Sequence, residues 1–115
     1  MIKLPEDGTL LRIFIGESDK YDGAPLYEKI VLKAREMKIA GATVTRGIMG
    51  FGADSHMHSA KILRLSEDLP LVIELVDTKE NLEKLIPFLD ESVQEGLITM
   101  EDVRVIKYRH SGSAK

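Results

Sequence analysis

The chain has 115 residues, no cysteine and a formal net charge of −3, with acidic and basic residues interleaved. That length suits one domain with its own core, so residues 1–115 are read as one unit, and the absence of thiols excludes a disulfide framework and thiol catalysis. The charge balance argues against a nucleic-acid surface, and no apolar run reaches the length of a membrane span or a signal-peptide core, so a cytoplasmic protein is the expectation.

Thr9 to Ile15 reads as the first strand. Leu11, Ile13 and Ile15 share one face by period two, and Leu10, Arg12 and Phe14 share the other. The second face is too apolar for plain solvent, which points to contact with another subunit. Gly16 to Gly23 is polar and reads as a loop. Pro25 suits the first turn of a helix. Leu26, Ile30, Ala34 and Met37 then recur at helical spacing, with Val31 widening the stripe and Glu28, Lys33, Arg35, Glu36 and Lys38 on the wet side. Gly41 is read as the C′ stop of that helix.

A second strand runs from Ala42 to about Met49, led by the β-branched Thr43, Val44 and Thr45. It delivers the chain into Gly50-Phe51-Gly52. Glycine permits positive φ and removes the Cβ, so another group can approach the main chain, and successive N–H groups in such a turn can form an anion nest. The segment is either a lip that holds a phosphate or nucleotide or a ligand-free bend. Phe51 either stacks on a base or plugs the core.

Residues 53–59 form a polar loop carrying Asp54, Ser55, His56 and His58, and Ala60 to Leu65 alternates weakly as a strand. Ser66-Glu67-Asp68 turns the chain. Leu71 to Val76, apolar on both faces except at Glu74, belongs at the centre of a sheet. Glu74 there reads as a paired structural acid rather than a general base. Asp77 or Thr78 caps a second helix from Lys79 to Glu95, with a stripe of Leu82, Leu85, Ile86, Leu89 and Val93 and a bend near Glu83 imposed by Pro87. Gly96 ends it, Leu97 to Asp102 reads as a loop, Val103 to Tyr108 as the last strand and Arg109 to Lys115 as a frayed tail. The order β-α-β-β-α-β predicts an α+β ferredoxin-like sandwich, with two helices on one sheet face.

Gly41-Ala42-Thr43-Val44, leading to Gly50-Phe51-Gly52 and His56, resembles the start of the T-loop in PII nitrogen-regulatory proteins. Leu69-Pro70, Val72 and Glu74 resemble that family's third strand, and Gln94-Glu95-Gly96-Leu97-Ile98-Thr99 its B-loop entrance. Over its whole length the chain is most similar to the small PII-like proteins of domain of unknown function 190. The resemblance implies a PII-like trimer with an adenine nucleotide (ADP, AMP or ATP) in clefts between subunits, contacting Thr43, Met49, Gly50, Phe51, Gly52, Val76 and Thr99. It also implies a signalling role toward a regulated protein whose identity is unknown.

The chain departs from the family at the phosphate contacts. The register from Thr43 to Gly50 holds one extra residue, Ala53-Asp54 stands where the family has Arg-Gln, and Thr99-Met100-Glu101-Asp102 stands where its B-loop has Gly-Asp-Gly-Lys. The T-loop is short and lacks a tyrosine to modify. Altered phosphate chemistry is the expectation, favouring ADP or AMP over ATP without magnesium. Arg46 and Arg109 are the candidate phosphate ligands, against the plainer reading of each as a surface ion pair.

His56 and His58 place two imidazoles on one face of an extended segment, but a metal needs further ligands, so solvated histidines and no metal are the expectation. The alternative function is a small metal-dependent or acid/base enzyme using His56, His58 and Asp54. Ser18, Ser55 and Thr99 have no base beside them in the sequence, so a hydrolase triad is not supported.

Overall fold

A computed structural model of the chain describes residues 7–52, 58–59 and 68–109. Its elements are strands β1 (Asp7–Gly16), β2 (Lys20–Tyr21) and β3 (Ala24–Pro25), helix α1 (Leu26–Glu36), strands β4 (Gly41–Arg46), β5 (Met49–Gly50), β6 (His58–Ser59) and β7 (Pro70–Asp77), helices α2 (Lys79–Glu83) and α3 (Ile86–Ser92), and strand β8 (Leu97–Arg104). The main sheet has four strands in the order β4-β7-β1-β8, each antiparallel to its neighbour. This is the ferredoxin-like arrangement expected from the element order, with β7 central as its two-faced apolarity predicted.

Leu11, Ile13 and Ile15 of β1 and Leu71, Ile73 and Leu75 of β7 pack with Leu26, Ile30 and Ala34 of α1 and with Leu82, Leu85 and Leu89. The helices thus cover one face. The opposite face carries Leu10, Arg12 and Phe14 beside Val76, Glu74 and Val72, all half-buried. The Arg12 guanidinium donates to Glu74 at 2.8 Å and to Glu101 at 2.7 Å, so a single cation bridges three strands there. Both contacts raise the Arg12 pKa above its ordinary value, the hydrogen bond to Glu74 most of all. Among the described residues no helix is long and apolar enough to cross a membrane.

Four boundaries differ from expectation. The helix α1 stops at Glu36 rather than running to Gly41 as its C′. Lys38 takes the left-handed conformation (φ 62°) and the Ile39 N–H donates to Ala34 O at 3.0 Å, the closing bond of a Schellman cap. The long strand from Ala42 to Met49 is broken at Gly47, whose N–H donates to Pro70 O at 2.7 Å, and Met49–Gly50 pairs instead with His58–Ser59. His58 therefore sits in a short ladder, not in a loop.

The second helix is two helices. Pro87 lies in the first turn of α3, where its missing N–H costs nothing, and α3 ends at Ser92 rather than Glu95. Thr78 is the cap of α2, accepting from the Asn81 N–H at 3.1 Å. The last strand spans Leu97 to Arg104, not Val103 to Tyr108. Ile98 and Met100 pack inward on the core while Leu97, Thr99 and Glu101 face outward, and an edge strand tolerates that polar side. The residues read as a B-loop, Thr99 to Asp102, are thus strand, with Asp102 opposite Thr9. Beyond β8 the chain crosses the end of the sheet, and the Tyr108 hydroxyl donates to Ala40 O at 2.8 Å. The expected strand Ala60–Leu65, Asp54 and His56 of the polar loop, and the tail beyond Arg109 lie outside the described residues.

Candidate functional site

At the upper end of the sheet, where β1 leaves and β7 enters, a cleft of about 370 Å³ opens between Phe14, the Gly16 turn, the Gly47–Gly52 segment, Leu69–Pro70 and Gly96. Its volume lies at the lower end of the roughly 300–1,000 Å³ usual for small-molecule sites. The turn after β1 is built by its own acids: the Gly16 N–H donates to Asp19 Oδ2 and the Ser18 N–H to Asp68 Oδ1, both at 3.0 Å. A Cβ at Gly16 would lie 2.9 Å from Asp68 Oδ1, so the carboxylate would have to shift to admit a side chain there. Gly96 is constrained by backbone, since its Cβ would stand 2.7 Å from Phe14 O.

The glycine lip borders this cleft, though not for the conformational reason expected. Neither Gly50 nor Gly52 has a positive φ. A Cβ at Gly50 would meet Pro70 Cγ at 3.2 Å, so that glycine serves close packing. A Cβ at Gly52 would meet nothing within 4 Å, so nothing described in this chain requires a glycine there. Beside them Met49 is 60% and Phe51 66% exposed, large apolar side chains left in solvent at the rim. Phe51 does not plug the core.

The other candidate contacts lie apart within one chain. Thr43, Glu74, Arg12 and Thr99 form one row across the sheet, but Thr43 is on the β4 edge and Thr99 on the β8 edge, roughly 14 Å apart at the usual strand spacing. Val76 stands four residues along β7 from Val72, the last residue of that strand to line the cleft, roughly 13 Å away. Arg109 is exposed one residue beyond Tyr108, at that same far end. Arg46 ends β4 near the lip, but its guanidinium pairs with Glu17, as a surface arginine amid many acids does. Sequence reading missed the contribution of Phe14 and of Asp19, Asp68 and Glu95 to the cleft. Asp19 and Asp68 were hidden because only the β1–β7 pairing brings their two loops together.

Among the described residues no group of three or more His, Cys, Asp or Glu is arranged to hold a metal ion. The triad of the alternative enzyme reading is not brought together on the described part of the chain, since Asp54 and His56 fall outside it.

The fold is that of the PII-like proteins. It is similar to the structure of CPII, a nitrogen regulatory PII-like protein from Thiomonas intermedia K12 bound to ADP, AMP and bicarbonate, with a TM-score of 0.61 and 18% identity over 88% of this chain and 90% of that one. A second CPII structure, bound to ADP and bicarbonate, gives a TM-score of 0.58 and 21% identity over 90% of this chain and 95% of that one. By sequence, residues 8–105 match the DUF190 family, described as Uncharacterized ACR, and the chain belongs to it. A UPF0166 protein of Aquifex aeolicus (strain VF5) is 39% identical over 99 residues, covering 84% of this chain and 91% of that protein. A UPF0166 protein of Methanocaldococcus jannaschii is 38% identical over 99 residues, covering 85% and 91% respectively.

Proposed function

We propose that this protein is a PII-like regulatory protein that binds an adenine nucleotide (ADP, AMP or ATP) in clefts between the subunits of a trimer and passes its state to a partner protein. One observation carries the reading: an apolar cleft bordered by Gly50-Phe51-Gly52, with no described residue against the Gly52 Cβ position and an unburied Phe51 on its rim. The fold supports it, because the similar CPII structures hold ADP and AMP. The dispersal of Thr43, Val76, Thr99 and Arg109 supports the intersubunit part. Residues on opposite edges of one sheet meet a single ligand only when a second chain brings its own edge alongside. The apolar side chains on the uncovered face, Leu10, Phe14, Val72 and Val76, favour such packing. A regulatory role fits a cleft in which the described residues present carboxylates without a paired nucleophile and base.

The test is to denature the purified protein, analyse the released small molecules by mass spectrometry, and titrate the stripped protein calorimetrically with ADP and AMP. Released adenine nucleotide, or saturable binding of either probe, is the expected outcome. Absence of both would overturn the reading.

A further inference from the structure

At the end of the sheet away from the cleft, the residues after β8 form a strap from one edge strand to the other. Val105 lies over Gly8 of β1: a Cβ on Gly8 would stand 2.8 Å from Val105 Cγ2 and 3.7 Å from Val76 Cγ1, so the missing side chain leaves room for the crossing. Three residues on, the Tyr108 hydroxyl donates to Ala40 O at 2.8 Å. Ala40 directly precedes β4, the edge strand opposite β8. That landing point is itself fixed. The Ala40 N–H donates to Asp77 Oδ2 at 2.8 Å, and the fully buried Asp77 also accepts from the Thr78 N–H and the Asn81 side chain.

Arg12 holds Glu74 and Glu101, and Arg46 holds Glu17. Arg109 is exposed and follows the Tyr108 anchor by one residue, at the end of the sheet where Gly41 pairs with Val76. We infer that Tyr108 is a positioning residue for the nucleotide site: its bond to Ala40 carries Arg109 from the β8 edge to the β4 edge, where the guanidinium meets a phosphate of the nucleotide that Thr43 and Val76 contact. The inference rests on the nucleotide reading and deepens it by naming the residue that aims a phosphate ligand. An arginine on a loose strap loses freedom when the ligand arrives, and a strap anchored beforehand loses less. The planar guanidinium fork also needs a set direction to bond two phosphate oxygens at once. Loss of the Tyr108 hydroxyl therefore weakens binding through Arg109 and by no other route.

The test is a double-mutant cycle on the full chain, read by calorimetric titration with ADP and AMP, using Tyr108→Phe, Arg109→Gln and the double variant. Arg109→Gln is expected to weaken binding about tenfold or more and Tyr108→Phe about threefold to tenfold, with the double variant no weaker than Arg109→Gln alone. The salt dependence of the affinity, which a merely structural role of Tyr108 leaves unchanged, should flatten in Tyr108→Phe as it does in Arg109→Gln. Losses that add in the double variant, or native affinity in either single variant, would overturn the inference while leaving the nucleotide reading intact. So would an unchanged salt dependence in Tyr108→Phe. Failure of the native chain to bind either nucleotide would overturn both.

Discussion

Asp77 is fully buried, yet its carboxylate is provided for: Oδ2 accepts from the Ala40 N–H at 2.8 Å, and Oδ1 from the Thr78 N–H at 2.6 Å and the Asn81 side chain at 3.0 Å. It ties the start of α2 to the approach to β4, far from the cleft. Asp77→Ala strands three donors together and should cost about 2–5 kcal/mol in urea denaturation; a loss below about 1 kcal/mol would mean water replaces the carboxylate there. Gly52 sits at the other extreme, with none of the described residues near its missing Cβ. Gly52→Val should leave the unfolding midpoint of the free protein nearly unchanged but remove the stabilisation by ADP, about 2.7 kcal/mol at 100 times Kd in the native protein. Stabilisation equal to wild type would show that the lip does not face ligand. The sequence marks Gly50-Phe51-Gly52 as special because two glycines around an aromatic are rare in a strand. It does not separate their roles, since Gly50 is set by Pro70, which is 20 residues away. The reading of Glu74 as a paired acid was legible from its apolar surroundings, whereas its partner Arg12 depends on strand register.

Among the elements, those with a clean period were legible and those governed by distant partners were not. The stripes of β1 and α1 gave the core face correctly because burial follows side-chain periodicity there, whereas the two-faced apolarity of β7 gave its interior place in the sheet but not which face meets the core. The helix break at Lys84–Leu85 and the early start of β8 escaped, because Pro87 is compatible with either a kink or a new first turn, and an edge strand with acidic outer positions looks like a loop. The small β2–β3 hairpin is fastened to α3 by Tyr21, which stacks edge-on against Phe88 at 5.8 Å and donates its hydroxyl to Glu91. That hydrogen bond, with desolvation and the nearby charges of Glu91 and Asp22, holds the Tyr21 hydroxyl above its ordinary pKa. A pKa raised on folding contributes stability that is fully present below the unfolded value of about 10 and is lost as pH rises through the folded value. The melting temperature of the native protein should therefore fall more steeply above about pH 10 than that of Tyr21→Phe, with no difference in slope near neutrality. Parallel curves across the alkaline range would show that the contact is too solvated to matter.

At the scale of the whole molecule, the proposed assembly would account for both the uncovered sheet face and the dispersal of the candidate contacts. The face is apolar at Leu10, Phe14, Val72 and Val76 but carries the Arg12–Glu74–Glu101 network at its middle, which in the proposed trimer would favour a fixed register between chains over loose association. The PII-like fold was legible from three short segments, and the chain's membership of the DUF190 family agrees with that reading. The location of the cleft was only half legible: the lip is local in sequence, but its opposite wall comes from Phe14, Asp19 and Glu95, brought there by the sheet. Native mass spectrometry of the purified protein in the presence of ADP tests the central claim most directly, because one spectrum reads both assembly and occupancy. The account predicts a species of about three times 12.9 kDa carrying up to three nucleotides, with occupancy lost in Gly52→Val but the assembly kept. A monomer, or a trimer that never takes up ADP at saturating concentration, would contradict it.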